Sequence, residues 1–427
     1  MTETVGKKKM HYAWVVLICC CAMTASTGIL LQTGGQWFPP LTGAPGYDGG
    51  LNLSVTEIYL YLIICSFCMA PTAPFVGRFL PKVNARLLLS GAAILCILAV
   101  AAMSFYSAGW QWWISGAILG IAGSFIFVIP SPIILGNWFV KKQGFAIGLA
   151  MSFSGISAAI FNPVAQILIA NLGWRLSYVV VAAIAAIIVL PCTLILVRFK
   201  PEDKGLKAYG AEEVNEADAA AATEATEGGV ALKVATKSVP FIILFLVCGL
   251  MSVATGYTTV LPQYVTTPEV NMPVIAGLIA TMCMGGSFVG MLGLGAISGK
   301  LGGMKTGVLG SILVLIGLLG LLLLNQIMVV VLAAGLLYGI SLSLVQVVTP
   351  IVAREAFGGK NFAQIYSNLM IAVTLIGAIG ALVNSIIIDT PGLGFSAAFL
   401  IGIVAMVLII LGIIVSVPMA KRLPRES

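Results

Sequence analysis

The polar stretch Lys200–Lys237 decides how this chain is organised, and its central part, residues 211–229, is AEEVNEADAAAATEATEGG. Acidic and small side chains in this density cannot bury a core, so the stretch predicts a flexible cytoplasmic linker over residues 200–238. The chain is strongly apolar on both sides of it. We therefore predict an N-terminal half at 1–199 and a C-terminal half at 239–427.

Apolar segments of membrane length fill both halves. The chain is 60% hydrophobic and only 9% charged over 427 residues, which excludes a water-soluble globular protein. A helix of about 20 apolar residues rises about 30 Å and crosses the hydrocarbon layer. Twelve such spans, six on each side of the linker, fall at about 12–37, 55–77, 87–107, 110–136, 144–170, 176–197, 239–264, 272–298, 306–324, 327–353, 361–388 and 393–418. The pattern predicts an all-α membrane protein of two six-helix bundles rather than a membrane barrel.

The lysine and arginine residues predict the orientation of these spans. Of the 22 Lys and Arg residues, all except Arg175 fall at the two termini or in alternate loops. The positive-inside rule then places both termini in the cytoplasm and requires an even number of spans. The net charge of +7 follows from this topology, so it gives no reason to expect a nucleic-acid partner.

The first span has one alternative interpretation. Lys7, Lys8 and Lys9 followed by the apolar residues 13–25 imitate a secretory signal. The apolar run, however, continues to Phe38, and cleavage would leave an odd number of spans. We therefore interpret it as the first transmembrane helix.

Cysteine and histidine residues indicate no metal or catalytic site. All nine cysteines lie within apolar spans, and His11 is the only histidine. Buried cysteine commonly packs as a small hydrophobic residue, and no zinc-binding set is present. We expect no cofactor, no metal and no enzymatic activity.

Short basic loops follow the second span of each half and echo each other weakly. Residues 77–86 are GRFLPKVNAR, and residues 295–305 are GAISGKLGGMK. This plan resembles the major facilitator superfamily, whose two halves are parallel repeats. The resemblance implies a gating role for the cytoplasmic-loop residues Gly77, Arg78, Lys82, Arg86, Lys300 and Lys305. The family's Asp is replaced here by Pro81 and Gly299, and a Gly by Asn84, which puts the usual latch of the inside gate in doubt.

A second resemblance lies in spans four to six. Residues 137–148 are NWFVKKQGFAIG, followed by Ser154-Gly155, Asn162-Pro163 and Gly173-Trp174-Arg175. This pattern is similar to the signature of monocarboxylate and oxalate-formate porters, and residues 198–210 also look like the segment after span six in bacterial members. The resemblance implies transport of a small organic solute by alternating access.

Charged residues are absent from the middle of every span. Charges within a membrane usually mark ion pathways or counter-ions of charged substrates. By rough alignment, Met291 and Leu369 occupy the positions where oxalate-formate porters carry an arginine and a lysine. We therefore expect a neutral, amphipathic or aromatic solute, or a weakly held monoanion. Glu57 is expected to cap span two, and Arg354-Glu355 to be solvated at the inner end of span ten.

Polar uncharged residues are the candidates for solute binding. By the resemblance, spans one, four, seven and ten line the central cavity, helped by two, five, eight and eleven. The candidates on these spans are Gln32, Gln36, Tyr59, Tyr257, Tyr264, Tyr338, Ser341, Gln346, Tyr366 and Asn368. An interhelical hydrogen bond or an interfacial aromatic contact is an equally good interpretation of each.

The function predicted from these features is uniport or exchange of a solute across the cell inner membrane. The expected partners are the solute and the lipid bilayer, and we expect a monomer. Two alternatives stay open: an efflux pump for apolar compounds, and a membrane sensor that binds a solute without transporting it.

Overall fold

The computed structural model describes residues 11–43, 51, 53–211, 228–265, 267, 269–272, 275–390 and 393–426. The acidic residues of the predicted linker at 212–227 lie outside this set. All helices, contacts and hydrogen bonds given below belong to the described residues.

The described part of the chain forms twelve membrane spans, which confirms the predicted fold class. Ten helices are long and apolar enough to cross a membrane. One of them, Gln143–Leu196, contains two spans because Gly173 breaks the helix with φ 75° and ψ 163°. The fourth span consists of two shorter helices and completes the set of twelve.

The first bundle contains α1 to α6, whose bounds are Tyr12–Leu41, Val55–Phe79, Ala85–Ala102, Gly109–Ser124 continued by Pro130–Trp138, 143–172 and 174–196. The second bundle contains α7 to α12. Their bounds are Val239–Thr255 continued by Gly256–Thr259 and Leu261–Tyr264, Ala276–Leu301, Gly303–Leu323, Met328–Phe357, Phe362–Asp389 and Gly394–Lys421. The short helices Pro201–Lys204 and Leu232–Lys237 flank the undescribed part of the linker.

The start of α2 confirms the expected cap. The Glu57 backbone N–H donates to Ser54 Oγ at 3.2 Å, and the Ser54 N–H donates to Glu57 Oε2 at 2.9 Å. This reciprocal pair satisfies two of the backbone donors that a helix start leaves free. Glu57 therefore serves helix initiation.

The two bundles repeat one packing pattern. In the first bundle α2 packs on α4, α1 on α5, and α3 on α6; in the second, α8 packs on α10, α7 on α11, and α9 on α12. Each pair in the second bundle is the first-bundle pair moved six helices along the chain. The packing therefore shows the parallel repeat that the basic loops indicate.

The bundles meet along two helix pairs, α2 with α11 and α5 with α8. Their contacts use small residues: a Cβ on Gly77 would overlap the Ala363 carbonyl, and one on Gly148 would overlap the Met291 carbonyl. Glycine lets helix backbones approach closely, which maximises dispersion contacts in a lipid environment. These contacts lie at the cytoplasmic ends of the four helices, so the bundles are in close contact on that side.

Two glycines replace whole loops in this architecture. Gly173 alone joins α5 to α6, and Gly302 alone joins α8 to α9, with φ 80° and ψ 166°. This combination of dihedrals is accessible essentially to glycine alone. Both turns therefore depend on the absence of a side chain.

The described ends of the linker contact both bundles. At its start, the Val140 N–H donates to the Tyr209 carbonyl at 3.1 Å. At its end, strand β1, Gly229–Val230, pairs antiparallel with strand β2, Arg425–Glu426. The linker thus leaves the first bundle at the α4–α5 loop and reaches the second beside the C-terminal segment.

Substitution of Gly148 by alanine tests the close approach of α5 to α8. Alanine gains up to about 1 kcal/mol of helix propensity, but overlap with the Met291 carbonyl costs about 1–3 kcal/mol. We expect Gly148→Ala to lower the thermal unfolding midpoint of the purified protein. Gly155→Ala on the same helix is the matched control, because a Cβ at Gly155 would meet nothing within 4 Å. Equal shifts for both variants would contradict the proposed contact.

Candidate solute-binding site

Helical irregularity concentrates in α1, α4, α7 and α10. A π-helical segment, Gly28–Gln32, interrupts α1, and residues 125–129 separate the two parts of α4. A 3₁₀ turn, Gly256–Thr259, continues α7, and a second π segment, Leu344–Val348, lies within α10. In contrast, α2, α3, α8, α9, α11 and α12 run as unbroken α-helices within their described bounds. Interrupted helices free backbone polar groups within the membrane, a frequent feature of transport sites.

Hydroxyl side chains satisfy part of the freed backbone at each irregular helix. Thr33 Oγ1 donates to the Ile29 carbonyl at 2.6 Å in α1, and Ser124 Oγ donates to the Gly120 carbonyl at 2.8 Å in α4. Thr258 and Ser343 make similar bonds in α7 and α10, at 2.7 and 2.5 Å. Such local bonds stabilise a helix break where no water is available. The irregularities are therefore built into the sequence around them.

A chain of amide side chains connects α1 to α5. Gln36 Nε2 donates to Asn162 Oδ1 at 2.9 Å, and Gln166 Nε2 donates to Gln36 Oε1 at 2.7 Å. Gln32 is exposed and belongs to the π segment of α1, one helical turn before Gln36. Asn162 and Gln166 were not among the predicted site residues, although Asn162 belongs to the porter-like motif. The cluster presents donors and acceptors without any net charge.

Five buried side-chain oxygens in the second bundle have no hydrogen-bond partner among the described residues. Three are the hydroxyls of Ser341, Ser367 and Ser416, and the other two belong to longer side chains. They are Gln346 Oε1, in the π segment of α10, and Tyr366 Oη, on α11. The Tyr366 ring stacks on Phe362 with centroids 5.6 Å apart. An unsatisfied buried acceptor or hydroxyl costs about 1–3 kcal/mol, so such atoms commonly bind water or a ligand. Ser341, another candidate, is fully buried on α10.

Three of the predicted tyrosines instead connect helices of the second bundle. Tyr257 Oη donates to the Ala398 carbonyl at 2.7 Å and to Asn384 Oδ1 at 3.1 Å, which ties α7 to α12 and α11. Tyr338 Oη donates to the Ala254 carbonyl, and Tyr264 Oη to the Leu321 carbonyl. All three rings are buried. Their hydroxyls already have protein partners, which is the interhelical interpretation left open by the sequence.

The remaining two candidates are Asn368 and Tyr59. Asn368 is half-buried on α11 and has no hydrogen-bond partner among the described residues. Tyr59 is the fifth residue of α2, and its side chain is outside the described set. Both stay candidates for solute contact.

Arg354 lies in a different environment from the one expected from the sequence. It was expected to be solvated, but its Nη1 donates to the Gly136 carbonyl at 2.6 Å, which joins α10 to α4 across the two bundles. The guanidinium also lies 5.7 Å from the centroid of the Phe362 ring. A Cβ on Gly136 would overlap Nη1, so a larger residue there would displace the guanidinium from its present position. The expectation failed because such an approach depends on the neighbouring bundle.

Glu355 joins the cytoplasmic ends of three helices within the second bundle. Its Oε2 accepts the Met304 backbone N–H at 2.9 Å at the start of α9, and its Oε1 accepts Lys421 Nζ at 2.6 Å at the end of α12. A carboxylate at a helix N-terminus also interacts favourably with the helix dipole. An acid on α10 therefore ties the cytoplasmic helix ends together where the loop position is Gly299. The expectation that Glu355 is solvated was also wrong, because both of its carboxylate oxygens accept hydrogen bonds from the protein.

The predicted cytoplasmic-loop residues behave differently from one another. Gly77 contacts the opposite bundle at Ala363, as described above. Arg86 Nε donates to the Val197 carbonyl of its own bundle at 3.4 Å. The side chains of Arg78, Lys82, Lys300 and Lys305 are exposed. A gating role for these residues remains a prediction.

Comparison with known families agrees with this architecture. The family model described as "Major Facilitator Superfamily" matches residues 18–381. The chain belongs to the Major Facilitator Superfamily. Proteins of this family and fold are membrane transporters and not enzymes, and they bind small solutes within the membrane. The predicted family and the multi-pass membrane location are thereby confirmed.

Curated relatives resemble parts of the chain. An "MFS-type transporter" of Gibberella moniliformis is 27% identical over 161 residues, covering 37% of this chain and 39% of that protein. "Monocarboxylate transporter 12" of Xenopus laevis is 24% identical, covering 40% of this chain and 38% of the relative. "Riboflavin transporter RibJ" of Trypanosoma brucei brucei is 26% identical, covering 39% and 28%. The matched segment thus spans about two fifths or less of each of these relatives.

Solved structures match over nearly the whole chain. The transporter FucP, described as a Major Facilitator Superfamily transporter in the outward conformation, superposes with a TM-score of 0.67 at 16% identity, covering 95% of this chain and 98% of FucP. The proton:xylose symporter XylE gives a TM-score of 0.68 at 14% identity, covering 97% and 95%. At these identities the likeness shows the fold alone.

The tyrosine hydroxyls allow a test that separates structural from binding residues. Tyr257→Phe removes two interhelical bonds, and we expect it to lower stability by about 1 kcal/mol. Tyr366→Phe removes a buried hydroxyl without a partner among the described residues, so we expect equal or higher stability and weaker solute binding. Thermal unfolding and ligand titration of both purified variants measure the difference. The distinction fails if Tyr366→Phe destabilises the protein as much as Tyr257→Phe does.

The Arg354–Gly136 contact predicts a second, conformational effect. Arg354→Gln shortens the side chain and removes the bond between bundles, so we expect the cytoplasmic face to open more often. A Ser298→Cys reporter at the α5–α8 contact should then react about threefold or more faster with a membrane-impermeant maleimide, as expected for a population shift. Arg422→Gln is the control, because Arg422 is an exposed arginine at the cytoplasmic end of α12 to which no gating role is assigned. An unchanged labelling rate in Arg354→Gln would show that the bond does not hold this face closed.

Proposed function

We propose that this protein is a secondary transporter that moves a small organic solute across the cell inner membrane by alternating access. The observation that carries the proposal is the coincidence of broken helices with uncharged polar groups. The π segments of α1 and α10 contain Gln32 and Gln346, and the buried Gln346 oxygen lacks a partner among the described residues. Together with the amide cluster of α1 and α5, they supply a mostly apolar site with a few placed polar groups.

The charge distribution supports a neutral or weakly charged solute. Met291 and Leu369, which by rough alignment occupy the positions where oxalate-formate porters carry an arginine and a lysine, are buried apolar residues on α8 and α11. The cations among the described residues lie toward the helix ends, as Arg354 does near the end of α10. A dianion would therefore lack a counter-ion at mid-depth. Amphipathic, aromatic or monocarboxylate-like solutes fit this environment.

The contacts between bundles support an alternating mechanism. The bundles meet at the cytoplasmic ends of α2, α11, α5 and α8, where Arg354 also bonds to Gly136. Release of a solute to the cytoplasm requires these contacts to separate while the far side closes. No charged relay at mid-depth is needed for uniport or exchange, so we propose one of these modes. We also propose that a single chain is the transporting unit.

The names of two relatives indicate candidate solutes. One is called a monocarboxylate transporter and another a riboflavin transporter, and both names describe solutes with few charges. They support a test panel of small monocarboxylates, aromatic metabolites and flavins. The same uncharged site also favours a second candidate, efflux of apolar compounds, which differs in the direction of net movement.

Solute binding and flux test the proposal directly. Thermal-shift screening of the purified protein against this panel, with oxalate included, should find stabilisation by a neutral, aromatic or monoanionic compound. Flux of that compound into proteoliposomes should then follow its gradient. Binding without flux would favour a sensor, net outward movement in cells would favour the efflux pump, and strongest stabilisation by oxalate would contradict the argument from charge.

A glutamine substitution locates the site. We expect Gln346→Leu to raise the KM of the identified solute about tenfold, because loss of a hydrogen bond in a desolvated site costs about 1–2 kcal/mol. Gln326→Leu is the matched control, because Gln326 is an exposed glutamine that donates to the Glu269 carbonyl outside the bundle core. Flux measured over a range of solute concentrations gives the KM of each variant. Equal kinetics for the two variants would exclude Gln346 from the site.

A further inference from the structure

A cavity lies between the bundles at their cytoplasmic ends, and its lining contains none of the residues proposed to bind the solute. Its volume is about 860 Å³. The first bundle contributes residues 140–144, which form the end of the α4–α5 loop and the start of α5. The second contributes the ends of α8, α10 and α12, the start of α9, and Arg425 of strand β2. We call it the inner cavity.

The walls of the inner cavity are strongly basic. Lys141, Lys142, Arg354, Lys421 and Arg425 line it, and Glu355 is the acidic residue among its described walls. Glu355 is already committed on both oxygens, to Lys421 and to the Met304 N–H. Lys142, Arg354 and Arg425 therefore have no carboxylate partner among the described walls.

Arg354 is the group that most requires a counter-ion. It is largely buried, and its Nη1 donates to a neutral acceptor, the Gly136 carbonyl. No carboxylate of the described residues lies within ion-pair distance of its guanidinium, and the other guanidinium N–H groups have no acceptor among those residues. A largely buried charge without a counter-ion is costly, because the neutral Gly136 carbonyl and the Phe362 ring replace only part of the hydration that burial removes.

The start of α5 adds further donors to the same cavity. Lys142 precedes this helix in a left-handed conformation, φ 63° and ψ 22°, and the helix has no side-chain cap at this end. Gln143 and Gly144, the first residues of α5, both line the cavity. Uncapped N–H groups and the positive end of the helix dipole favour an anion. The buried Arg354 guanidinium faces the cavity independently of this helix end.

We propose that the inner cavity binds a phosphate-type anion and that the bound anion holds the cytoplasmic ends of the two bundles together. Guanidinium, ammonium and helix N–H donors form the set that recognises phosphate. Lys142 belongs to the first bundle and Arg354 to the second, so one anion contacts both. Separation of the bundles would break this shared site, and the anion therefore stabilises the cytoplasm-closed state and slows the transport cycle. Its phosphate is supplied either by an anionic lipid headgroup or by a soluble phosphate.

The binding test uses the full chain in nanodiscs of neutral phosphatidylcholine, with inorganic phosphate as the probe. Saturating phosphate should raise the thermal unfolding midpoint by about 2 °C or more. It should also slow amide hydrogen exchange at the start of α5 and the end of α8. The double variant Lys142→Gln/Arg425→Gln should lose both effects, whereas Lys233→Gln/Lys237→Gln, which removes the same charge from an exposed helix away from the cavity, should keep them. Equal responses in the two double variants would overturn the proposal.

Two further arms identify the source of the anion. Stabilisation by phosphatidylglycerol in the nanodisc without added phosphate, lost in Lys142→Gln/Arg425→Gln, would support a lipid headgroup. Stabilisation by free phosphate alone would support a soluble ligand. A third protein carries Gln in place of the acids Glu212, Glu213, Glu216, Asp218, Glu224 and Glu227. Phosphate binding seen only in that protein would overturn the proposal, because carboxylates of the chain itself would then be the competing occupant.

Discussion

Backbone hydrogen bonding within the hydrocarbon layer is the constraint on which this structure depends. A membrane interior offers no water, so every peptide group in a span must find a partner inside the protein. Most of the described spans meet this requirement as unbroken α-helices. Irregular backbone is confined to α1, α4, α7 and α10, with a π turn at the end of α6, and hydroxyl side chains such as Thr33 and Ser343 compensate at the breaks. The uncharged polar residues Gln32 and Gln346 belong to two of these irregular segments, while α2, α3, α8, α9, α11 and α12 remain regular α-helices within their described bounds.

Close packing at the cytoplasmic ends complements these irregular segments. Where Gly144 and Gly148 face α8, two helices approach until backbone meets backbone, and Gly136 leaves room for the Arg354 guanidinium. Individual contacts of this kind are weak in lipid, because there is no hydrophobic effect between apolar helices to add to them. A junction of this strength suits a protein whose halves must separate in each cycle. Glu355 works differently, since it joins helices within one bundle and preserves that bundle as a unit.

The sequence alone predicted the number of spans, their orientation and the cap at Glu57, because these depend on local composition and on the placement of charges. It did not predict the π segments, since the residues of Gly28–Gln32 and Leu344–Val348 are compatible with an ordinary α-helix. Nor did it distinguish Tyr257, which bonds to Ala398, from Tyr366, whose hydroxyl has no partner among the described residues. Those differences, and the burial of Arg354, depend on which residues the neighbouring helix places next to each side chain. The porter-like motif Asn162-Pro163 contains one residue of the amide cluster. The candidate residues were chosen by their positions in the spans, and Asn162 was therefore not among them.

The single-residue turns at Gly173 and Gly302 have a mechanical consequence. They join α5 to α6 and α8 to α9, and α5 and α8 are the very helices that touch across the two bundles. A connection of one residue cannot lengthen, so a tilt of α5 also moves α6, and a tilt of α8 also moves α9. By contrast, residues 80–84 separate α2 from α3, so the connection beside the α2–α11 contact is longer and more compliant. The rocking axis of this molecule should accordingly lie closer to the α5–α8 seam than to the α2–α11 seam.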